Sequence, residues 1–257
     1  TALSETCGET RGVFACLPPD EGKAEAEAWM RSWLGISDTV DISAVGAAIH
    51  QDPRFGQGNA LWQMGFRAEA MTEFQSLLNT TRDPLALWQL ALHWRGIGVF
   101  RLSISAADAL VRVSPARTAL NAPVFLGRMV YPVYYGGVIG NAAREFGVNP
   151  LLAFSLVRQE SLFEPFAESG AAANGLFQVI PLTGKEIAGQ LSWPPKYSVD
   201  DLQRPLVSAR FGAYYMSRQL NYFGDWFTAL AAYNAGHGWV LQHGLALPST
   251  PVVAYVD

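Results

Sequence analysis

At 257 residues, half of them hydrophobic and 16% charged, the chain carries enough apolar material for one large domain or two modest ones, at roughly 150 residues per domain. Intrinsic disorder is excluded by that balance. Its 18 basic and 22 acidic residues leave a net charge of −4, which gives no electrostatic footprint for nucleic acid. Aromatics make up 12%, with eight tryptophans, a composition that suits an uncharged, ring-shaped ligand.

The longest uncharged run near the middle, Met129–Ala143, is broken by Pro132, Gly136, Gly137 and Gly140. It falls short of the ~20 apolar residues that span a bilayer, so no transmembrane segment is predicted. No basic n-region and apolar h-region precede the chain at Thr1; the reading is of a targeting signal removed or never included. Cys7 and Cys16 can close a small disulfide loop in an oxidising compartment or stand as free thiols, and the sequence leaves both open. Neither has His or Cys neighbours at metal-ligand spacing.

Residues 1–57 are irregular apart from a helical pattern over Ala24–Leu34. Between 58 and 111 a weak repeat appears. Gly65–Leu77 (GFRAEAMTEFQSL) aligns with Gly98–Leu110 (GVFRLSISAADAL) at a register of 33. That period, with Gly followed by a helix, is similar to stacked helical hairpins of the tetratricopeptide type. Two copies are too few for a free-standing array, so they must lean on neighbouring structure. Trp62, Trp88 and Trp94 read as core residues of this part.

Pro115–Val124 (PARTALNAPV) is a punctuated connector, and a domain boundary is placed near 128, giving segments 1–128 and 129–257. Beyond it, Asn149-Pro150 caps and starts a helix that runs to about Phe163. A second helix is predicted from Pro205 or Leu206 to Leu220. A third is capped by Asp225 and stopped by Gly236 after Asn234. No convincing alternating strands are present, so the chain is expected to be mostly α with at most a small sheet.

On the helix after Pro150, Glu160 shares a face with Ala153, Leu156, Val157 and Phe163, and a carboxylate therefore interrupts an apolar stripe. Arg158 lies about 200° around the helix from it, at ~100° per residue, and cannot easily neutralise it from the same face. A desolvated carboxylate without a cationic partner has its pKa raised, the condition that a general acid requires. The same placement also fits a buried Glu satisfied by backbone donors.

The residues that follow carry a family resemblance. Glu160-Ser161, Ser169, Gly175-Leu176-Phe177-Gln178, Pro181-x-Thr183 and Ala231-Ala232-Tyr233-Asn234-Ala235-Gly236 stand in the order and spacing of the catalytic domain of soluble lytic transglycosylases, related to goose-type lysozymes. Tyr131-Pro132 and the helix into Gly147 also resemble the start of that domain, so the likeness covers about 129–257. More loosely, the N-terminal part is similar to the end of the helical superhelix that precedes the domain in larger members. The sequence departs from the family pattern at Ala172, where Gly is usual, and at Phe177 and His237, where Met and Pro are common. The tail is short, with Pro251 at an acidic position between Pro248 and Tyr255-Val256.

The resemblance implies a helical-repeat segment followed by a lysozyme-like domain that cleaves the β-1,4 bond between N-acetylmuramic acid and N-acetylglucosamine in peptidoglycan. Glu160 acts as acid and then as base, closing the muramoyl C6 hydroxyl onto C1 to give a 1,6-anhydro product. Such an enzyme needs one carboxylate where ordinary glycosidases need two. Of the nearby acids, Glu164 reads as a solvated helix-end charge, Glu168 as a loop surface charge and Asp225 as an N-cap. Ser169, Gln178, Tyr233 and Asn234 are the implied substrate contacts, with the Tyr233 hydroxyl directed to substrate or to Glu160. Trp193 either stacks on a sugar or pins its loop.

No cofactor and no metal are expected: phosphate-binding loops, His-Glu-x-x-His and calcium loops are absent, and His50, His93, His237 and His243 show no ligand spacing. The implied partners are peptidoglycan glycan strands, with the N-terminal helices available to protein partners. The implied location is extracytoplasmic, in the cell envelope or secreted. Two rival readings remain open on sequence: a goose-type hydrolase, and a non-catalytic wall-binding scaffold.

Overall fold

The computed structural model describes residues 20–243. Cys7, Cys16, Pro248, Pro251, Tyr255 and Val256 lie outside the described residues. The chain separates into two units: the first holds residues up to Tyr135 together with Leu162–Phe166, the second Gly136–Ser161 and the residues from Ala167 onward.

The first unit contains α1 (Lys23–Leu34), α2 (Ala47–His50), α3 (Pro53–Met64), α4 (Arg67–Thr80), α5 (Pro84–Gly96), α6 (Phe100–Val113) and α7 (Val124–Val130). Two Asp-Pro pairs write the repeat. Asp52 accepts a hydrogen bond from Arg54 N–H and Asp83 from Ala86 N–H, with Pro53 and Pro84 at the first helical turn. These caps satisfy amide donors that a helix start leaves open. α3 packs on α4 and α5 on α6 as helical pairs, and α4 and α6 start and stop at positions 33 apart. Trp88 and Trp94 are fully buried, in edge contacts with Phe125 at 5.9 Å and Phe74 at 5.7 Å respectively. Trp62 is half-buried and donates its indole N–H to Ile97 O at 3.0 Å.

The second unit contains α8 (Gly136–Glu145), α9 (Pro150–Ser161), α10 (Pro181–Leu191), a 3-10 turn (Val199–Gln203), α11 (Pro205–Phe223), α12 (Trp226–Ala235) and α13 (His237–His243). The 19-residue α11 is its axis, packing on α8, α10 and α12. Among the described residues no strand forms; two isolated bridges, Glu168 with Asn174 and Asn174 with Val179, close a loop between α9 and α10. α9 ends at Ser161, two residues before the predicted stop, because Leu162 and Phe163 both turn left-handed, at φ 49° and 61°. α11 continues three residues past its predicted end. Asp225 caps α12 through Thr228 N–H at 2.8 Å, as expected.

Trp94 is fully buried in the core of the first unit. Trp94→Ala is expected to lower unfolding free energy by about 3–5 kcal/mol, read by urea denaturation; a loss below 1 kcal/mol would mean that the repeat core does not depend on it.

Candidate active site

α9 starts where Asn149 accepts a hydrogen bond from Leu151 N–H at 2.9 Å. Ala153, Leu156 and Val157 are buried, and Glu160 extends the same stripe with partial exposure. Burial alone pushes its pKa up to about 7; no cation contributes. Among the described residues nothing hydrogen-bonds or ion-pairs with its carboxyl group. The neighbouring Ser161 donates instead to backbone, with its Oγ 2.9 Å from Leu176 O and 3.2 Å from Val157 O. That hydroxyl fastens the end of α9 to the Gly-Leu-Phe-Gln segment, a role that the motif alone did not reveal.

Glu164 is the clear departure from expectation. It is buried, not a solvated helix-end charge, because the early stop of α9 carries residues 162–166 into the first unit. One carboxyl oxygen accepts from Phe166 N–H at 3.2 Å and the other has no partner. Desolvation raises its pKa against the Phe166 hydrogen bond and the more distant charges of Arg101 and Arg67.

The loop from Ala167 to Ile180 is held by backbone–backbone hydrogen bonds and by side chains that bond to its backbone. Ser169 Oγ accepts from Ala171 N–H at 3.2 Å and Ala173 N–H at 3.1 Å, and so keeps its own proton for another acceptor. Ala172 takes φ 56°, so the left-handed geometry usually given to Gly is kept by an L-residue at some strain. Gly175, at φ 78°, lies so close to Leu202 O that a Cβ would stand 1.9 Å from it. Gln178 donates both Nε2 hydrogens to backbone, to Ala167 O at 3.0 Å and Gly175 O at 2.9 Å. Only its Oε1 remains to accept from a ligand.

Phe177 is fully buried and its ring lies against Gly212 of α11, where any side chain would collide with it. Its amide N–H donates to Ser208 Oγ at 3.2 Å. Its carbonyl accepts from Tyr233 Oη at 2.8 Å. Tyr233 therefore spends its proton on backbone and has none for Glu160. Even so, it lies within reach of the Glu160 charge, which, after burial, is the largest contribution raising its pKa well above the usual phenol range. Asn234, the next residue, is exposed near the end of α12.

Tyr233 and Gln178 thus meet at the Phe177–Gln178 backbone, Ser161 ties the end of α9 beside Glu160 to Leu176 O, and Ser169 belongs to the same loop. Trp193 packs at 6.2 Å on Phe211, with the Arg210 guanidinium 4.4 Å over its ring, and pins its loop. His237, where the family pattern has Pro, starts α13 with Nδ1 at 2.8 Å from Oε1 of the buried Gln219. Among the described residues no group of three His, Cys, Asp or Glu is placed to hold a metal ion.

The second unit is helical and carries at the end of α9 a desolvated carboxyl group, Glu160, whose pKa no cation lowers. Residues 137–246 match the Transglycosylase SLT domain family. Over 85 residues the chain is 40% identical to membrane-bound lytic murein transglycosylase D of Escherichia coli K12, a stretch covering 32% of this chain and 18% of that protein. Over 111 residues it is 30% identical to the soluble lytic murein transglycosylase of Salmonella typhimurium, covering 43% and 17% respectively. The fold matches an inactive mutant of lytic transglycosylase Slt from Pseudomonas aeruginosa with a TM-score of 0.66 at 22% identity, over 87% of this chain and 35% of that one. It matches the 70 kDa soluble lytic transglycosylase of E. coli with a TM-score of 0.63 at 23% identity, over 86% and 34%. The likeness to lytic transglycosylases is carried by residues 137–246, the stretch that matches the SLT domain. The aligned stretch spans less than a fifth of these two curated relatives.

Two outcomes follow for stability. Ala172→Gly removes a left-handed strain of about 1–2 kcal/mol for an L-residue and costs some chain entropy; a net gain of about 0.5–1 kcal/mol is expected in chemical unfolding, and a loss would contradict the strain. Because the Glu160 pKa is raised from 4.5 to about 7, the fold favours its protonated form. Its contribution is fully present below pH 4.5 and fades as pH rises through 7. Glu160→Gln should therefore gain stability over the native chain across that window, by roughly 1–2 kcal/mol after allowance for partial exposure, and show a constant difference above pH 8.

Proposed function

We propose that this protein is a peptidoglycan lytic transglycosylase with Glu160 as its single acid/base. The observation that carries the reading is the Glu160 carboxyl group, held partly out of water without a counter-charge and pushed up to about 7. At neutral pH about half of it is protonated, so it can donate to a glycosidic oxygen and afterwards take a proton back.

The other carboxylates of the second unit support a one-carboxylate scheme. Glu145 pairs with Arg210 and Glu186 with Arg218. Asp201 caps the 3-10 turn and pairs with Arg204, and Asp225 caps α12. Hydrogen bonds hold Glu186, Asp201 and Asp225 below their ordinary values, which keeps them ionised but occupied. Glu168 and Asp200 are exposed.

In the proposed reaction, Glu160 protonates the oxygen linking N-acetylmuramic acid to N-acetylglucosamine as the C1–O bond breaks. The oxocarbenium-like centre at C1 is stabilised by the substrate's acetamido group. The Glu160 carboxylate then removes the proton of the muramoyl C6 hydroxyl, and O6 closes onto C1. The proton lent in the first step is recovered, and no water enters. Ser169 offers an O–H donor, Gln178 an Oε1 acceptor and Asn234 an exposed amide to the sugar, while Tyr233 holds the Phe177 carbonyl beside Gln178.

A murein substrate places the protein in the cell envelope; no helix among the described residues is long and apolar enough to cross a membrane. The first unit supplies helical surface for protein partners.

Mass spectrometry of digested peptidoglycan tests the chemistry. 1,6-Anhydro muropeptides are expected; hydrated, reducing ends would transfer the reading to a hydrolase. Glu160→Gln should lower kcat/KM by about 10²–10⁴, and full activity in that variant would sink the assignment. The native kcat/KM should fall on the alkaline side with an apparent pKa near 7, since the ionised group cannot protonate the leaving oxygen.

A further inference from the structure

The hydroxyl of Tyr233 is committed to Phe177 O, which leaves open which phenol serves a bound glycan. Tyr215, on α11, places its ring edge-on to Tyr233 with centroids 5.3 Å apart. Its side chain is half-buried. Its hydroxyl makes no hydrogen bond among the described residues, and it is not one of the buried polar atoms left without a partner, so it opens to solvent. The contrast with its neighbour is informative. Tyr214 gives its hydroxyl to Gln190 Oε1 at 3.0 Å, within a network where Arg218 Nη1 also reaches Glu186 at 2.7 Å and Gln190 at 3.1 Å. Tyr215 sits beside that network without joining it.

Burial raises the Tyr215 pKa, and the opposed charges of Arg218 and Glu186 act on it next. The group is a neutral O–H at working pH, a donor to an uncharged acceptor oxygen. The Glu160 charge acts on Tyr233, whereas the charges acting on Tyr215 are those of Arg218 and Glu186. Tyr215 stands beside Tyr233, with ring centroids 5.3 Å apart, on the helix whose Gly212 receives the Phe177 ring.

We propose that Tyr215 is a substrate-binding residue, donating its hydroxyl proton to an acetamido carbonyl or ring hydroxyl of the N-acetylhexosamine that flanks the cleaved bond. This rests on the glycan-cleaving reading above. Because the contact is made equally before and during bond breaking, it contributes to binding and leaves the chemical step alone.

Tyr215→Phe, made in the full chain, tests it. The ring that supports Tyr233 is kept and only an unpartnered hydroxyl is lost, so the melting temperature should be unchanged. KM for polymeric peptidoglycan should rise about 3- to 10-fold, the worth of one neutral hydrogen bond, with kcat near the native value and the pH profile unmoved. An unchanged KM overturns the proposal. So does a fall in kcat at constant KM, which would assign Tyr215 to support of Tyr233. Native protein assayed alongside separates the two levels: if it releases anhydro products and Tyr215→Phe matches it, only this inference fails. If the native protein releases none, the functional reading fails and takes this inference with it.

Discussion

The site depends on one constraint: a carboxyl group must be withheld from water without being given a counter-charge. Glu160 meets it by continuing the Ala153–Leu156–Val157 stripe of α9, so the packing that buries the helix also desolvates the acid. A cation in contact would have lowered the pKa and removed the proton that the proposed reaction requires. Full burial would have raised it further and slowed the proposed return step, in which the ionised form would act as base. A value near 7 lies between these failures and is set by the depth of one side chain.

Such depth is useful only if the surrounding backbone is fixed, and side chains that resemble ligand contacts do much of that fixing. Ser161 ties the end of α9 to Leu176 O. Gln178 closes Ala167 O and Gly175 O, Tyr233 holds Phe177 O, and Ser208 receives Phe177 N–H. Phe177 itself is locked against Gly212. A buried carbonyl without a donor costs more than a formed bond returns, so each of these polar groups stabilises the loop whether or not a glycan is present. In the proposed reading the residues of the motif answer two demands together, and what would remain for substrate after the backbone is satisfied is a Ser169 proton, a Gln178 oxygen and the Asn234 amide.

Local chemistry in the sequence was enough for the helices whose ends are written by caps. Asn149-Pro150 and Asp225 mark starts that the structure keeps, and the 33-residue offset reappears in α4 and α6. The lone carboxylate was legible for the same reason, since a 3.6-residue period places Glu160 among apolar neighbours. Features that depend on contacts between distant segments were not. No spacing rule announces that Leu162 and Phe163 turn left-handed, and that turn carries Glu164 into a core instead of into solvent. Nor does the Ala-Tyr-Asn-Ala-Gly signature say that the tyrosine proton goes to a carbonyl 56 residues earlier. Tyr215 had no sequence signal, because its meaning comes from the ring of Tyr233 beside it.

Low overall charge takes on a sharper sense at this point. The acids of the second unit near structural elements are paired or act as caps: Glu145 with Arg210, Glu186 with Arg218, Asp201 with Arg204, and Asp225 on the start of α12. Pairing of this kind adds little stability at an exposed surface, but it does cancel the fields that would otherwise shift a neighbouring acid. Two of the charges nearest Tyr215 oppose one another in this way, and no cation reaches Glu160. The proton affinity of Glu160 is therefore governed by desolvation, a short-range property of its own packing, which salt screens far less than it screens surface charge. In an ion-rich medium an acid tuned by burial keeps its pKa where one tuned by distant charges would not.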